Sequence, residues 1–84
     1  QLVNRVVPAD ELAAQTQAAA QRIAQGAPIA LGHLKALVRQ AADNDLRTHL
    51  ALEARLFREC AGTEDFVEGM ASFMAKRPAK FMGR

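Results

Sequence analysis

The chain has no tryptophan, no tyrosine and a single cysteine, Cys60, among its 84 residues. One cysteine excludes an internal disulfide and fits a reducing compartment. The sequence shows neither a secretory signal nor an apolar run long enough to cross a membrane. We therefore expect a cytoplasmic protein with no membrane partner, in which Cys60 acts as a small apolar side chain.

A strong charge of one sign is also lacking, since 11 lysines and arginines face 9 aspartates and glutamates. Acidic and basic residues alternate along the chain, which does not favour a nucleic-acid partner. The exception is the C-terminal tail, where all four charged residues are basic. These are Lys76, Arg77, Lys80 and Arg84.

The apolar half of the composition is rich in alanine, which contributes little buried area. A chain of this length forms one small domain, residues 1–84, and buries only about 60 to 65% of the surface that its unfolded form exposes. We therefore expect marginal stability for the chain alone, and a core that needs partners.

Residues 1–7 contain four apolar residues, Leu2, Val3, Val6 and Val7, and are followed by Pro8, which favours a short extended segment. A first helix is predicted from Asp10, as its N-cap, to about Gln25. Gly26 follows the last periodic position and is predicted to end this helix in the left-handed conformation.

Two further helices follow. Pro28 stands where the first residue of a helix is expected, and the run from Asp43 to Asp45 predicts a break before a third helix, from about Asp45 to Cys60. The third helix carries two neighbouring apolar rows: Leu46, Leu50 and Phe57, and Leu52, Leu56 and Cys60. This wide apolar surface predicts contact with two neighbours.

The fourth helix is predicted to begin after the N-cap Thr63 and to end at Pro78, with Lys76 and Arg77 in its last turn. Its apolar residues recur at helical spacing and predict a buried face: Phe66, Met70, Phe73 and Met74. The fold class is therefore all-α, with about four helices after a short extended N-terminal segment.

The sequence offers no catalytic or metal-binding centre. His33 and His49 lie on different predicted helices without a recognised metal spacing, so a structural role is favoured for each. Asp65 and Glu68 lie in the first turns of the fourth helix, where the helix dipole lowers the pKa of a carboxyl, the wrong direction for a general acid. Capping and ion pairing account for both.

The order Asp65-x-x-Glu68-Gly69-x-x-x-Phe73-x-x-Lys76-Arg77, with Phe81-x-Gly83 after a proline, resembles the carboxy-terminal segment of the enoyl-CoA hydratase/isomerase (crotonase) family. The likeness continues upstream in LVNRVVP at Leu2 to Pro8, and in Ala27-Pro28 with Lys35. The sequence departs from the family at Gln1, Ala27 and Ala75, where glycine, serine and an acidic residue are common.

This resemblance implies a helical trimerisation-type C-terminal domain, equivalent to the last third of such an enzyme. It also implies that the catalytic core, which supplies the oxyanion hole, is absent and that the chain alone is inactive. In the complete enzyme the implied substrate is a coenzyme A thioester, with no covalently bound cofactor. The acyl chain, and the hydratase or isomerase branch, stay open.

The resemblance also implies a binding role for two residues of the fourth helix. In the family, the aromatic and the lysine at the positions of Phe73 and Lys76 help to hold the adenine end of coenzyme A, which is bound mainly by the neighbouring subunit. An aromatic ring beside cations suits an adenine ring and its phosphates. The alternative is that Phe73 belongs to the core and Lys76 is a solvated helix end.

A second function remains open: a free-standing α-helical module that binds another helix, or nucleic acid, through the basic tail. A DNA-reading helix normally presents several basic or amide side chains on one exposed face. The fourth helix instead presents acids there, which disfavours DNA.

Overall fold

The computed structural model describes residues 2–84 and places four α-helices after one short 3-10 turn. The elements are the turn Ala9–Glu11, then α1 (Leu12–Ala24), α2 (Pro28–Gln40), α3 (Leu46–Ala61) and α4 (Glu64–Met74). Residues 2–8 are irregular, and no strand occurs in the described part of the chain. The all-α prediction is confirmed. None of these helices is both long and apolar enough to span a membrane.

Three predicted helix starts are confirmed. Pro28 is the first residue of α2. The Asp45 carboxylate caps α3 by accepting hydrogen bonds from the backbone N–H and the hydroxyl of Thr48, both at 2.9 Å, and these bonds lower the pKa of Asp45. Thr63 caps α4, since its hydroxyl oxygen accepts from the backbone N–H of Phe66 at 3.1 Å.

The predicted start of the first helix is wrong. Asp10 lies within the 3-10 turn, and neither that turn nor α1 has a side-chain cap. The backbone N–H of Glu11 donates to the carbonyl of Pro8 at 3.1 Å, so the chain begins to turn directly after the proline. Asp10 is thereby already inside the turn and unable to act as its cap.

The predicted conformation of Gly26 is also wrong, because Gly83 is the only glycine with positive φ in residues 2–84. Gly26 instead lies at a close approach of the chain to itself. A Cβ atom there would lie 2.9 Å from Cδ1 of Leu31 and 3.2 Å from the carbonyl oxygen of Ile23. The missing side chain allows α1 to turn into α2.

The helices pack in sequence, α2 on α3 and α3 on α4, while α1 packs mainly on its own leading turn. Leu56 of α3 is the one buried apolar residue in the described chain, at 6% exposure. The other apolar row of α3, which contains Leu46, Leu50 and Phe57, is exposed. The apolar face of α4 is exposed too, reaching 80% at Phe73, so the predicted burial of this face does not occur within the chain alone.

The chain is open rather than closed around a core. Its radius of gyration is 16.0 Å, whereas a compact domain of this length has about 12 Å. Its accessible surface is 7211 Å², whereas a folded monomer of 9.1 kDa exposes about 4900 Å². The excess of about 2300 Å² exceeds the share of one partner in a standard protein interface, about 800 Å².

Candidate functional site

The tail after α4 folds back along that helix, and Glu68 holds its first part. The guanidinium of Arg77 donates to both Glu68 carboxylate oxygens, at 2.6 and 2.8 Å. The backbone N–H of Lys80 donates to the same carboxylate at 2.8 Å. We call residues 77–84, together with the α4 carboxylates of Asp65 and Glu68, the clasp.

Asp65 holds the second part of the clasp. Its two carboxylate oxygens accept from the backbone N–H groups of Met82, at 2.6 Å, and Gly83, at 2.8 Å. The backbone N–H of Asp65 donates in turn to the carbonyl of Arg84 at 3.0 Å. Asp65 is only 4% exposed, so these bonds satisfy a buried carboxylate. This residue closes the tail onto the start of α4, a role beyond the predicted capping.

Two glycines, Gly69 and Gly83, lie at the contacts of the clasp. A Cβ at Gly69 of α4 would lie 3.6 Å from Cε1 of the Phe81 ring, and a Cβ at Gly83 would lie 3.4 Å from Cγ of Pro28. Gly83 has φ +76°, in the left-handed region that disfavours other residues. Gly69 therefore allows an ordinary contact, whereas Gly83 is required by backbone conformation.

Alanine at these two glycines is expected to have opposite effects on stability. Gly69→Ala fits in contact with Phe81 and should raise the free energy of unfolding by about 0.5 to 1 kcal/mol, because glycine is unfavourable inside a helix. Gly83→Ala should lower it by about 1 kcal/mol or more, because of its positive φ. Denaturant unfolding of both variants checks this; shifts in the same direction would contradict it.

Glu68 is the strongly perturbed acid of the clasp. The hydrogen bonds from Arg77 and from the Lys80 backbone lower its pKa from 4.5 to about 2. In the unfolded chain the carboxyl titrates near the ordinary 4.5. The stabilisation that Glu68 contributes is therefore complete above pH 4.5 and is lost as the pH falls through about 2.

This pKa predicts an acid transition that is local to the clasp. The NMR shift of the Lys80 amide, which donates to Glu68, is expected to change with a midpoint near pH 2, the value given by the pKa of Glu68. Glu68→Gln should abolish that transition. A midpoint near the ordinary glutamate value in the unsubstituted chain would show that the clasp does not form as described.

The end of α4 differs from the prediction. The helix ends at Met74, and Lys76 follows in the left-handed conformation with φ 51°. The backbone N–H of Lys76 donates to Phe73 at 3.2 Å, and that of Arg77 donates to Ser72 at 3.1 Å. These two bonds form a Schellman motif, which ends the helix before Pro78. Lys76 and Arg77 therefore lie outside the last helical turn.

Phe73 and Lys76, for which the family resemblance implies a role in coenzyme A binding, both lie at this helix end. Phe73 is 80% exposed and Lys76 is exposed. They do not share a helix face, as the i, i+3 spacing predicted, because Lys76 has left the helix. They remain joined through the backbone hydrogen bond from Lys76 N–H to the Phe73 carbonyl. An aromatic surface and a flexible cation thus lie on either side of one tight turn.

Among the residues that the structure describes, the two arginines of the basic tail form ion pairs, and its two lysines do not. Arg77 is paired with Glu68, and Arg84 with Glu64, whose oxygen lies 2.8 Å from Arg84 Nε. Within residues 2–84, the ammonium groups of Lys76 and Lys80 have no carboxylate within ion-pair distance. Half of the predicted basic tail is thus neutralised, and its two lysines carry the remaining positive charge.

The histidines lie away from this turn. Nε2 of His33, on α2, is 3.2 Å from a carboxylate oxygen of Glu59 on α3, close enough for an ion pair but not aligned for a hydrogen bond. Nδ1 of His49 is buried without a hydrogen-bond partner. The described residues contain no cluster of three metal-ligating side chains.

Comparison with known proteins shows what this helical arrangement belongs to. The model of the enoyl-CoA hydratase/isomerase family matches residues 2–84. The chain belongs to this family. This match confirms the resemblance to the carboxy-terminal segment of the family, which was predicted from the motif between Asp65 and Gly83.

Individual relatives agree with the family match. The chain is 42% identical to a Mycobacterium tuberculosis protein named "probable enoyl-CoA hydratase", across 99% of this chain and 32% of the relative. It is 37% identical to 2,3-dehydroadipyl-CoA hydratase of Escherichia coli K12, with the same coverage. The chain spans about a third of the length of the curated relatives it matches.

Solved structures of the family contain the same helices. The fold matches the enoyl-CoA hydratase of Bacillus anthracis with a TM-score of 0.92 and 31% identity, over 99% of this chain and 32% of that one. It matches enoyl-CoA hydratase subunit I of Geobacillus kaustophilus with a TM-score of 0.90 and 38% identity, over 98% and 32%. The open helix arrangement is therefore one that complete enzymes of this family contain.

Proposed function

We propose that this chain is the carboxy-terminal domain of an enoyl-CoA hydratase/isomerase family enzyme, in which it drives association of subunits and completes a neighbouring coenzyme A pocket. The complete enzyme adds water to a 2-enoyl-CoA, or carries out related chemistry on a coenzyme A thioester. We place it in the cytoplasm and in fatty acid metabolism, as a homo-oligomer, with a trimer as the expected form.

The exposed apolar surface carries the association part of the proposal. Large apolar side chains such as Leu34, Leu50 and Phe57 are more than half exposed on α2 and α3. They border an open groove of about 770 Å³ between these helices, with Leu56 among its lining residues. Soluble monomers rarely expose apolar patches of this extent, so a catalytic core or another subunit is expected to cover them.

The turn at the end of α4 supports the pocket part. Phe73 is 80% exposed, so it does not belong to the core of this chain, which was the alternative to a binding role. Its ring is free to stack on an adenine ring. Lys76 has no competing carboxylate within ion-pair distance and is free to pair with a phosphate. A phenyl ring has no titratable group and Lys76 is a cation suited to a phosphate, so we assign both residues to binding.

The alternative of a free-standing module that binds through a basic tail is less well supported. The clasp pairs Arg77 with Glu68, and Arg84 is paired with Glu64. A nucleic-acid-binding tail would keep such cations available for phosphates. The tail is instead built into the fold, as part of the α4 packing.

The chain alone is expected to be inactive and to self-associate. Mixed with crotonyl-CoA, it should cause no catalysed loss of the enoyl absorbance, because the family resemblance implies that the oxyanion hole comes from the catalytic core and not from this segment. Light scattering should give a molar mass above the 9.1 kDa of one chain, because its apolar faces are exposed. Catalytic turnover by this chain, or a stable monomer without coenzyme A affinity, would contradict the proposal.

A further inference from the structure

Lys76 stands between two fixed points of the backbone. On one side, its N–H is bonded to Phe73 at the end of α4. On the other, the next residue, Arg77, is held by Glu68 through both guanidinium nitrogens. Three residues further on, the N–H of Lys80 is bonded to the same carboxylate. One carboxylate therefore anchors the segment that directly follows Lys76.

The backbone of Lys76 needs such an anchor. Lys76 has φ 51°, and a residue with a Cβ atom is less stable in this left-handed conformation than in the right-handed one. It persists only where the surrounding structure enforces it. The Schellman bonds and the Glu68–Arg77 pair are the contacts that enforce it here.

We infer that Glu68 is a positioning residue for coenzyme A binding, which acts through Arg77 and the Lys80 N–H to direct the Lys76 ammonium at the phosphates. This inference rests on the proposed function. Glu68 thus fixes the backbone from which the Lys76 side chain extends, because it holds both the Arg77 guanidinium and the Lys80 N–H.

The test compares Glu68→Gln with Glu64→Gln in the complete enzyme. Glu64 lies on the same helix and also pairs with a tail arginine, Arg84, but its side chain is 71% exposed. Two substrates with the same acyl group are used, an acyl-CoA and the corresponding acyl-pantetheine, which lacks the nucleotide and its phosphates. Glu68→Gln should raise KM for the acyl-CoA about tenfold, the effect of losing one charge-assisted hydrogen bond.

Neither KM for acyl-pantetheine nor kcat for either substrate should change in Glu68→Gln, and Glu64→Gln should behave as the unsubstituted enzyme. A general loss of structure would affect both substrates, so the split between them isolates positioning. An equal change in both KM values, no change in either, or a Glu68→Gln enzyme that does not fold would overturn the inference.

Lys76→Ala separates this inference from the proposed function. If Lys76→Ala raises KM for acyl-CoA and Glu68→Gln does not, the positioning role is wrong while the pocket role stands. If Lys76→Ala leaves KM for acyl-CoA unchanged, the pocket role itself is wrong.

Discussion

Replacing Lys76 with glycine in the complete enzyme is expected to raise KM for acyl-CoA by about tenfold or more while making the protein more stable. The loss of affinity follows from removing a charge-assisted contact to a phosphate. The gain in stability, about 0.5 to 1 kcal/mol, follows from the left-handed φ of 51° at this position, which glycine adopts without a Cβ clash. A residue that is retained at a cost in stability is a candidate for a direct role in binding.

Steady-state kinetics and denaturant unfolding on the same preparations measure the two effects. Lys76→Ala is expected to show the same rise in KM without the gain in stability. Lys35→Ala, which removes the same charge from the exposed side of α2, serves as the control and should change neither quantity. A Lys76→Gly enzyme that is less stable, or that keeps its KM, would contradict the account of this turn.

Replacing Phe57 with glutamate is expected to weaken subunit association at least about 100-fold. Phe57 is 63% exposed on α3 and packs edge to face on Phe66 of α4, with ring centroids 6.2 Å apart. Its exposed part borders the groove between α2 and α3. A charge introduced into an apolar interface stays buried without a partner, which costs about 3 kcal/mol or more.

Light scattering over a dilution series of the complete enzyme measures this effect. Arg55→Glu, on the exposed polar side of the same helix, makes a larger change in charge and should leave the molar mass unchanged. If Phe57→Glu lowers thermal stability but retains the full molar mass, the groove is covered by the catalytic core of the same subunit, and the association role assigned to this face is wrong.

Local signals in the sequence predicted the helices well. Pro28, Asp45 and Thr63 act at helix starts as their residue types require, because capping depends on hydrogen bonds that reach only three residues along the chain. The start of α1 was mispredicted because the chain already turns after Pro8, where the backbone N–H of Glu11 donates to the Pro8 carbonyl, so Asp10 lies inside that turn.

The clasp could not be predicted from the periodicity of apolar residues in the sequence. Asp65 and Met82 are 17 residues apart, and the bond that joins them uses a backbone N–H, which has no sequence signature. The sequence shows the opposite charges of Glu68 and Arg77, but their pairing depends on where α4 ends. The predicted end, at Pro78, lies after the observed end, at Met74. Lys76 did not indicate the end of the helix in the sequence, because the left-handed residue after a helix is usually glycine.

The exposed face of α4 shows a second limit of prediction from the sequence. Its spacing correctly predicts an apolar stripe, with Phe66, Met70 and Phe73 on one side of the helix. A pattern shows that a surface is suited to burial, but not which molecule buries it. Within this chain the stripe stays exposed, and the chain spans about a third of the length of the relatives it matches.

The most direct test of the central claim is a crystal structure of the complete enzyme with coenzyme A bound. We expect Lys76 Nζ to lie about 3 Å from a phosphate oxygen of coenzyme A, and the Phe73 ring to lie beside the adenine. Both residues should come from the subunit next to the one that binds the thioester. Coenzyme A phosphates bound by other residues, with Lys76 in solvent, would contradict it.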